Sequence, residues 1–140
     1  MKLVWNQTMN TGIDKVDQQH RRLVDIVNGI YEALERGKTI KELGPSFKEL
    51  IAYTKTHFSD EQVIMRTYKY EALTQHEGFH RDLTKQVIDY VADLEKGKQI
   101  ESNDLMVFLK DWLIKHIMNE DKKFAKVYHA AQAQKKVPVA

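Results

Sequence analysis

The sequence predicts an all-α protein: an up-down-up-down antiparallel four-helix bundle with an irregular N-terminal arm and a short C-terminal helix. Three observations predict it. Four segments repeat apolar residues at the i, i+3, i+4, i+7 spacing of a helix face. Short breaks, several marked by glycine or proline, separate them. No run alternates apolar and polar residues as a half-buried strand would.

Residues 1–16, which hold Trp5, show no helical period and read as the arm. The first helix carries His20, Leu23, Val24, Val27, Ile30, Tyr31 and Leu34 on one stripe, and Gly37 ends it. Gly44-Pro45 opens the second, because proline suits a first helical turn. Its face reads Phe47, Leu50, Ile51, Thr54, His57, Phe58, Glu61, Ile64 and Met65. After a break at 66–70, the third presents Leu73, His76, His80, Leu83, Val87, Tyr90, Val91 and Leu94, and stops at Gly97. Ser102 or Asn103 is suited to cap the fourth. That helix carries Leu105, Leu109, Trp112, Leu113, His116 and Ile117 and continues through Phe124 and Tyr128. The expected organisation is one domain over 1–140: arm 1–16, helical bundle 17–129, tail 130–140.

Composition narrows the function classes. A 140-residue chain with 42% hydrophobic and 30% charged residues is ordinary globular protein. The formal charge of +2 is spread out, with no basic run longer than pairs such as Lys122-Lys123, so no nucleic-acid partner is expected. No apolar run reaches membrane-span length and no signal-peptide stretch opens the chain, which predicts a cytoplasmic protein without membrane insertion. The absence of a heptad seam or extra apolar face predicts a monomer. Cysteine is absent, which removes disulfides, thiolate metal sites and thiol nucleophiles. Any metal must be held by histidine and carboxylate.

Polar residues interrupt every apolar stripe: His20 on the first helix, His57 and Glu61 on the second, His76 and His80 on the third, His116 on the fourth. A lone histidine in such a stripe is more often a hydrogen-bonded core residue than a ligand. The set is different, because each buried polar group costs roughly 1–3 kcal/mol when unpaired. A metal centre satisfies them together. The pairs His57/Glu61 and His76/His80 stand at i, i+4, one turn apart on one face. His129 belongs to no such arrangement and reads as a surface residue. Gly78 costs about 1 kcal/mol relative to alanine inside a helix; close approach of a neighbouring helix is one reason to find it there.

Residues 76–80, HEGFH, also match the zinc-protease pattern His-Glu-x-x-His. That reading leaves His20, His57, Glu61 and His116 unexplained, and Leu83 and Gln86 stand where the extended pattern needs glycine and a third histidine. Glu77 is turned about 100° from His76 and reads as incidental.

Five histidines exceed what one metal requires. On a pair of six-coordinate metals sharing an oxo or hydroxo bridge, five imidazoles and two bridging carboxylates leave one position vacant, enough for one small end-on ligand. Imidazole and carboxylate suit iron, and also manganese, zinc or copper. The second bridging carboxylate lies in HIMNED, residues 116–121. Spacing slightly favours Glu120, at i+4 from His116. Asp121 is in phase with Leu113, Ile117, Phe124 and Tyr128, so periodicity leaves the choice open.

The set His20 … His57-Phe58-x-x-Glu61 … His76-x-x-x-His80 … His116-x-x-x-x-Asp121 resembles the hemerythrin ligand pattern. Thr11-Gly12-Ile13-Asp14 … Asp17-x-Gln19-His20-x-x-Leu23 is similar to single-domain bacterial members. The resemblance implies two iron ions in a non-haem di-iron centre that binds dioxygen reversibly. It implies that His76, His80 and His116 hold the saturated iron, that His20 and His57 hold the iron with the vacancy, and that Glu61 and Asp121 bridge. It thereby selects Asp121 within HIMNED.

Leu23, Phe58, Leu113 and Ile117 lie within a turn of these ligands and are the candidate walls of an oxygen pocket, where apolar packing would restrain proton entry. Core packing alone explains each of them equally well. Trp112 reads as packing near the site. The expected role is not enzymatic: oxygen transport, storage, or delivery to an oxygen-consuming enzyme. The alternatives are a di-iron enzyme (peroxidase, nitric-oxide scavenging or oxidase) and an oxygen or iron sensor. The histidine-rich ligand set argues against the first alternative. The lack of an output domain argues against the second.

Overall fold

The computed structural model describes residues 2–98 and 101–135; the remaining positions, including the end of the expected tail, lie outside the described residues. Helix α1 spans Asp14–Glu35, α2 Gly44–Thr67, α3 Leu73–Glu95, α4 Ser102–His116 and α5 Lys122–Lys135. No strand occurs among the described residues. Four helical rods alternate in direction, α1 packing on α2 and α4, and α2 on α3. The fourth rod is α4 and α5 together, joined without a loop by a π turn at Ile117–Asp121. The expected short C-terminal helix is therefore the continuation of α4. No helix among the described residues is long and apolar enough to cross a membrane.

Three consecutive helices end in the same way. Beyond α1, Gly37 N–H donates to Leu34 O and Lys38 N–H to Ala33 O; Gly97 and Lys98 repeat this after α3. The residue that reverses the chain must take positive φ, and Gly37 (+81°) and Gly97 (+90°) do so without a Cβ penalty. After α2 the same position is Lys69, at φ +53°. Its bond to Arg66 O, and that of Tyr70 to Met65 O, keep the motif intact.

Several boundaries differ from the sequence expectation. Helix α1 begins at Asp14, inside the stretch read as arm, because Asp17 gathers the chain ahead of it. Its carboxylate accepts from Thr11 N (2.8 Å), Thr11 Oγ1 (2.7 Å) and Gly12 N (3.0 Å). Helix α5 continues past residue 129 to Lys135, through alanines and glutamines that favour a helix without marking an apolar stripe. Neither Ser102 nor Asn103 caps α4: the cap position is Glu101, extended and without a side-chain cap bond, and Ser102 is already helical. Gly78 does not serve a close helix approach, since a Cβ there would meet only Arg81 Nη2 at 3.7 Å.

The arm is clamped rather than loose. Asn28 pairs with both the N–H and the C=O of Leu3 at 2.8 Å, and Lys122 Nζ donates to Thr8 O at 2.6 Å. His129 is exposed, as expected, and it also helps to hold the arm, with Nε2 2.7 Å from Thr11 O. Gly12, at φ +78°, makes room for that ring. Two apolar clusters fill the bundle. The larger includes Leu23, Val27, Ile30, Phe47, Leu50, Val87, Val91, Leu105 and Leu109. The smaller joins Ile13, Val16, Met65 and Phe124. Along each rod, the buried polar residues fall between the members of these two clusters.

The backbone geometry predicts opposite effects at two positions. Gly12→Ala places a Cβ 2.6 Å from His129 Nε2 on a left-handed residue, and should cost about 1–2 kcal/mol or more in urea unfolding. Lys69→Gly should stabilise by up to about 1 kcal/mol. A destabilised Lys69→Gly variant would contradict this account of the α2 terminus.

Candidate metal centre

All seven candidate ligands are buried at one level of the bundle: His20 (1% exposed) from α1, His57 and Glu61 from α2, His76 and His80 from α3, His116 (8%) from α4 and Asp121 from the π turn. Their donor atoms form two overlapping groups, each with atoms within 4.8 Å of one another: Glu61, His76, His80, His116 and Asp121, and His20, His57, Glu61 and Asp121. The two carboxylates belong to both.

Each carboxylate divides its oxygens between the groups. Glu61 Oε1 lies 2.8 Å from His76 Nε2 and 3.2 Å from His80 Nε2. Asp121 Oδ1 lies 3.2 Å from His76 Nε2 and 3.0 Å from His116 Nε2. The other oxygens face the opposite side. Glu61 Oε2 is 3.4 Å from His57 Nε2 and 3.8 Å from His20 Nε2, and Asp121 Oδ2 is 3.0 Å from His20 Nε2. Despite these short separations, most of the atoms are not hydrogen-bonded. Nε2 of His20, His57, His80 and His116, Glu61 Oε2 and both Asp121 oxygens lack a partner. These atoms gather around shared points without pairing with each other. Ligands about 2.0–2.2 Å from a metal stand about 3 Å apart around it, so the donor set fits metal ions at two adjacent points.

The π turn explains why Asp121, and not Glu120, joins the set. Lys122 N–H donates to Ile117 O, five residues back. The wider turn takes in one residue more than an α turn, so i+5 comes over His116 where i+4 would normally lie. Asp121 is 2% exposed, whereas Glu120 points outward to Lys123 (3.6 Å). Glu77 is likewise peripheral, half-buried on the flank of α3, 3.9 Å from Arg66 Nη2.

The four expected wall residues meet in a small cavity of about 10 Å³, the room of roughly one water-sized sphere. Leu23, Phe58, Leu113 and Ile117 line it with Leu83 and Trp112, against His20, His57, His116 and Asp121. Phe58 stacks on the His80 ring at 3.8 Å, and Trp112 Nε1 donates to Leu83 O at 2.8 Å, which ties α4 to α3. Sequence reasoning missed Leu83 as a wall residue and took Trp112 only as packing. Leu83 stands one turn after His80 and Trp112 one turn before His116, a spacing that could have found both.

Charge at the site is set by competition between burial and neighbours. Burial pushes Glu61 up, and the Asp121 charge adds to this, but the imidazoles of His57, His76 and His80 outweigh both and hold it below its ordinary value. Burial likewise pushes Asp121 up, against the His116 charge and contacts with His116, His20 and His76, which leave it well below. For His76, burial works downward, yet Asp121 and Glu61 prevail and push it up to about 9. His80 is lowered, burial being the main cause.

Two tests follow from this arrangement. In the metal-free protein, the depressed carboxylates contribute stability above their ordinary values, near 4.5 for Glu61 and 3.8 for Asp121, that is lost as pH falls below them. The raised His76 contributes stability that is full below 6.5 and lost as pH rises toward about 9. Thermal stability should therefore peak between these ranges, with a loss on the order of 3 kcal/mol on the alkaline side. A flat profile from pH 6.5 to 9 would contradict it. Separately, Asp121→Ala should lower the metal content of the purified protein, while Glu120→Ala should leave it unchanged. The reverse result would reject the role given to the π turn.

Comparison with known proteins places this geometry in a family. The hemerythrin HHE cation binding domain matches residues 11–128. Bacteriohemerythrin of Pseudomonas aeruginosa (strain UCBPP-PA14) is 32% identical over 119 residues, 85% of this chain and 76% of that protein. Bacteriohemerythrin of Stenotrophomonas maltophilia (strain R551-3) is 32% identical over 88% of this chain and 79% of its own length. A crystal structure of wild-type hemerythrin superposes with a TM-score of 0.79 at 26% identity, covering 89% of this chain and 96% of that one. With the matched domain spanning the whole ligand-bearing bundle, the chain belongs to the hemerythrin family.

Proposed function

We propose that this protein binds dioxygen reversibly at a di-iron centre, with His76, His80 and His116 on one iron, His20 and His57 on the other, and Glu61 and Asp121 bridging. The observation that carries this reading is the division of the carboxylate oxygens: Oε1 and Oδ1 face the three-histidine side, Oε2 and Oδ2 the two-histidine side. The iron pair would supply the electrons and the open coordination position that dioxygen needs. The chain's own residues do the rest. Three imidazoles fill one side, while two leave room on the other, and the small cavity between Leu23, Phe58, Leu113 and Ile117 touches both of these two, His20 and His57, as well as His116.

Those side chains offer no proton and no hydrogen bond, so a small ligand held there is shielded from the protonation that would make its release irreversible. Leu83 and Trp112 close the cavity further. This environment favours binding and release over turnover, and supports a carrier or store, or a donor of oxygen to a consuming enzyme. The histidine-rich ligand set, five imidazoles to two carboxylates, supports the same reading over a di-iron oxidase.

Anaerobic reduction followed by cycles of air and oxygen removal tests the proposal. The visible spectrum should return to the colourless reduced form at each removal, with two irons per chain. Oxidation that does not reverse, accompanied by consumption of added reductant, would reject it in favour of an enzyme. Leu23→Gln, which brings a polar group to the cavity, should speed irreversible oxidation by about tenfold, the factor that ~1.4 kcal/mol of barrier represents. An unchanged rate would show that the wall does not protect the site.

A further inference from the structure

We propose that Gln19 is a positioning residue that, held by Asp60, fixes the tautomer of His57 and so prepares its Nε2 for metal. The inference rests on the reading of His57 as a ligand, and concerns a contact outside the ligand set. His57 Nδ1 lies 2.7 Å from Gln19 Oε1. On its other side, Gln19 Nε2 donates to Asp60 Oδ2 at 2.8 Å. Lys15 Nζ stands 3.7 Å from the same Asp60 oxygen. Gln19 is buried, at 9% exposed, while the Asp60 side chain reaches the surface.

The orientation of the Gln19 amide decides the matter. An amide has one accepting and one donating end, and a carboxylate only accepts. Asp60 therefore takes the NH₂, and the carbonyl must face His57. A carbonyl only accepts as well, so Nδ1 of His57 carries the proton and donates it. The Nε2 lone pair is thereby left facing Glu61 Oε2, 3.4 Å away. Without Asp60 the amide could turn round. Its NH₂ would then draw an Nδ1 lone pair, and the ring proton would move to Nε2, the atom that must bind metal.

The arrangement is particular to this ligand. His80 Nδ1 also faces a glutamine carbonyl, that of Gln62, but at 3.2 Å. His20 Nδ1 is buried with no partner. Of these three rings, His57 alone has an acceptor backed by an anion, which makes its Nε2 the stronger donor. The two residues also tie α1 to α2 at the level of the site.

Nitrogen NMR of ¹⁵N-histidine-labelled, metal-free protein tests this directly. Wild-type His57 should show a protonated Nδ1 and a bare Nε2. Asp60→Asn, nearly isosteric and partly exposed, should give a mixture of tautomers and weaken ferrous-ion binding on the order of 10-fold. The double variant Gln19→Glu/Asp60→Asn should restore the wild-type tautomer, because the new asparagine NH₂ can donate to the new carboxylate, which accepts from Nδ1. A merely structural role for Gln19 would not produce that rescue. An Nε2-protonated His57 in the wild type, or a tautomer unmoved by Asp60→Asn, would overturn the inference even with two irons bound per chain. A tautomer that shifts as expected in a protein that takes up no iron would support the inference and reject the di-iron reading instead.

Discussion

Five imidazoles and two carboxylates share one buried layer between two apolar clusters, and the rest of the molecule is arranged around that constraint. Buried polar groups without partners are costly, and here most of the facing nitrogens and oxygens have none. Apart from the His76–Glu61 hydrogen bond at 2.8 Å, the short separations among them are not hydrogen bonds, and they have the spacing of donors gathered around a metal ion. The apolar clusters on either side hold the layer in place whether or not the donors are satisfied, which explains how so unfavourable a set is preformed by the fold. Its electrostatics are already biased, with both carboxylates held below their ordinary values and His76 pushed above its own.

The backbone adapts to this layer at one place. Helix α4 reaches the site with His116, and an α turn would bring position 120 over it. The π turn brings the Asp121 carboxylate there instead and leaves Glu120 half-buried, facing Lys123. Three residues further on, Phe124 is again in the core. Lys122, the first residue of α5, reaches back to Thr8, and the π segment packs against a single helical turn in the arm, Gln7–Met9. Where the end of the arm meets α5, His129 and Gly12 are in close contact.

The two sides of the layer differ in what surrounds them. Phe58 stacks on His80, and the ring of His116 approaches the surface beside a groove between α3 and α4. On the other side, His57 is held through Gln19 to Asp60, and the cavity touches His20 and His57 as well as His116 and Asp121.

The helices, their approximate limits and the unusual density of histidines on core faces were all legible in the sequence, because helical periodicity is a local property that apolar residues write every three or four positions. Membership of the polar set could be read for His20, His57, Glu61, His76, His80 and His116 on the same ground. Asp121 could not be read from spacing, since periodicity assumes an α turn and the chain makes a π turn there; only resemblance selected it. The start of α1 at Asp14 depended on side-chain bonds from Asp17, and the end of α5 lay in a stretch with no apolar stripe to count. Tertiary structure alone decided which carboxylate oxygen faces which histidines, that Leu83 and Trp112 close the cavity, and that Gln19 stands between His57 and Asp60. These are distances between helices, and a sequence pattern carries phase along one helix but no separation between two.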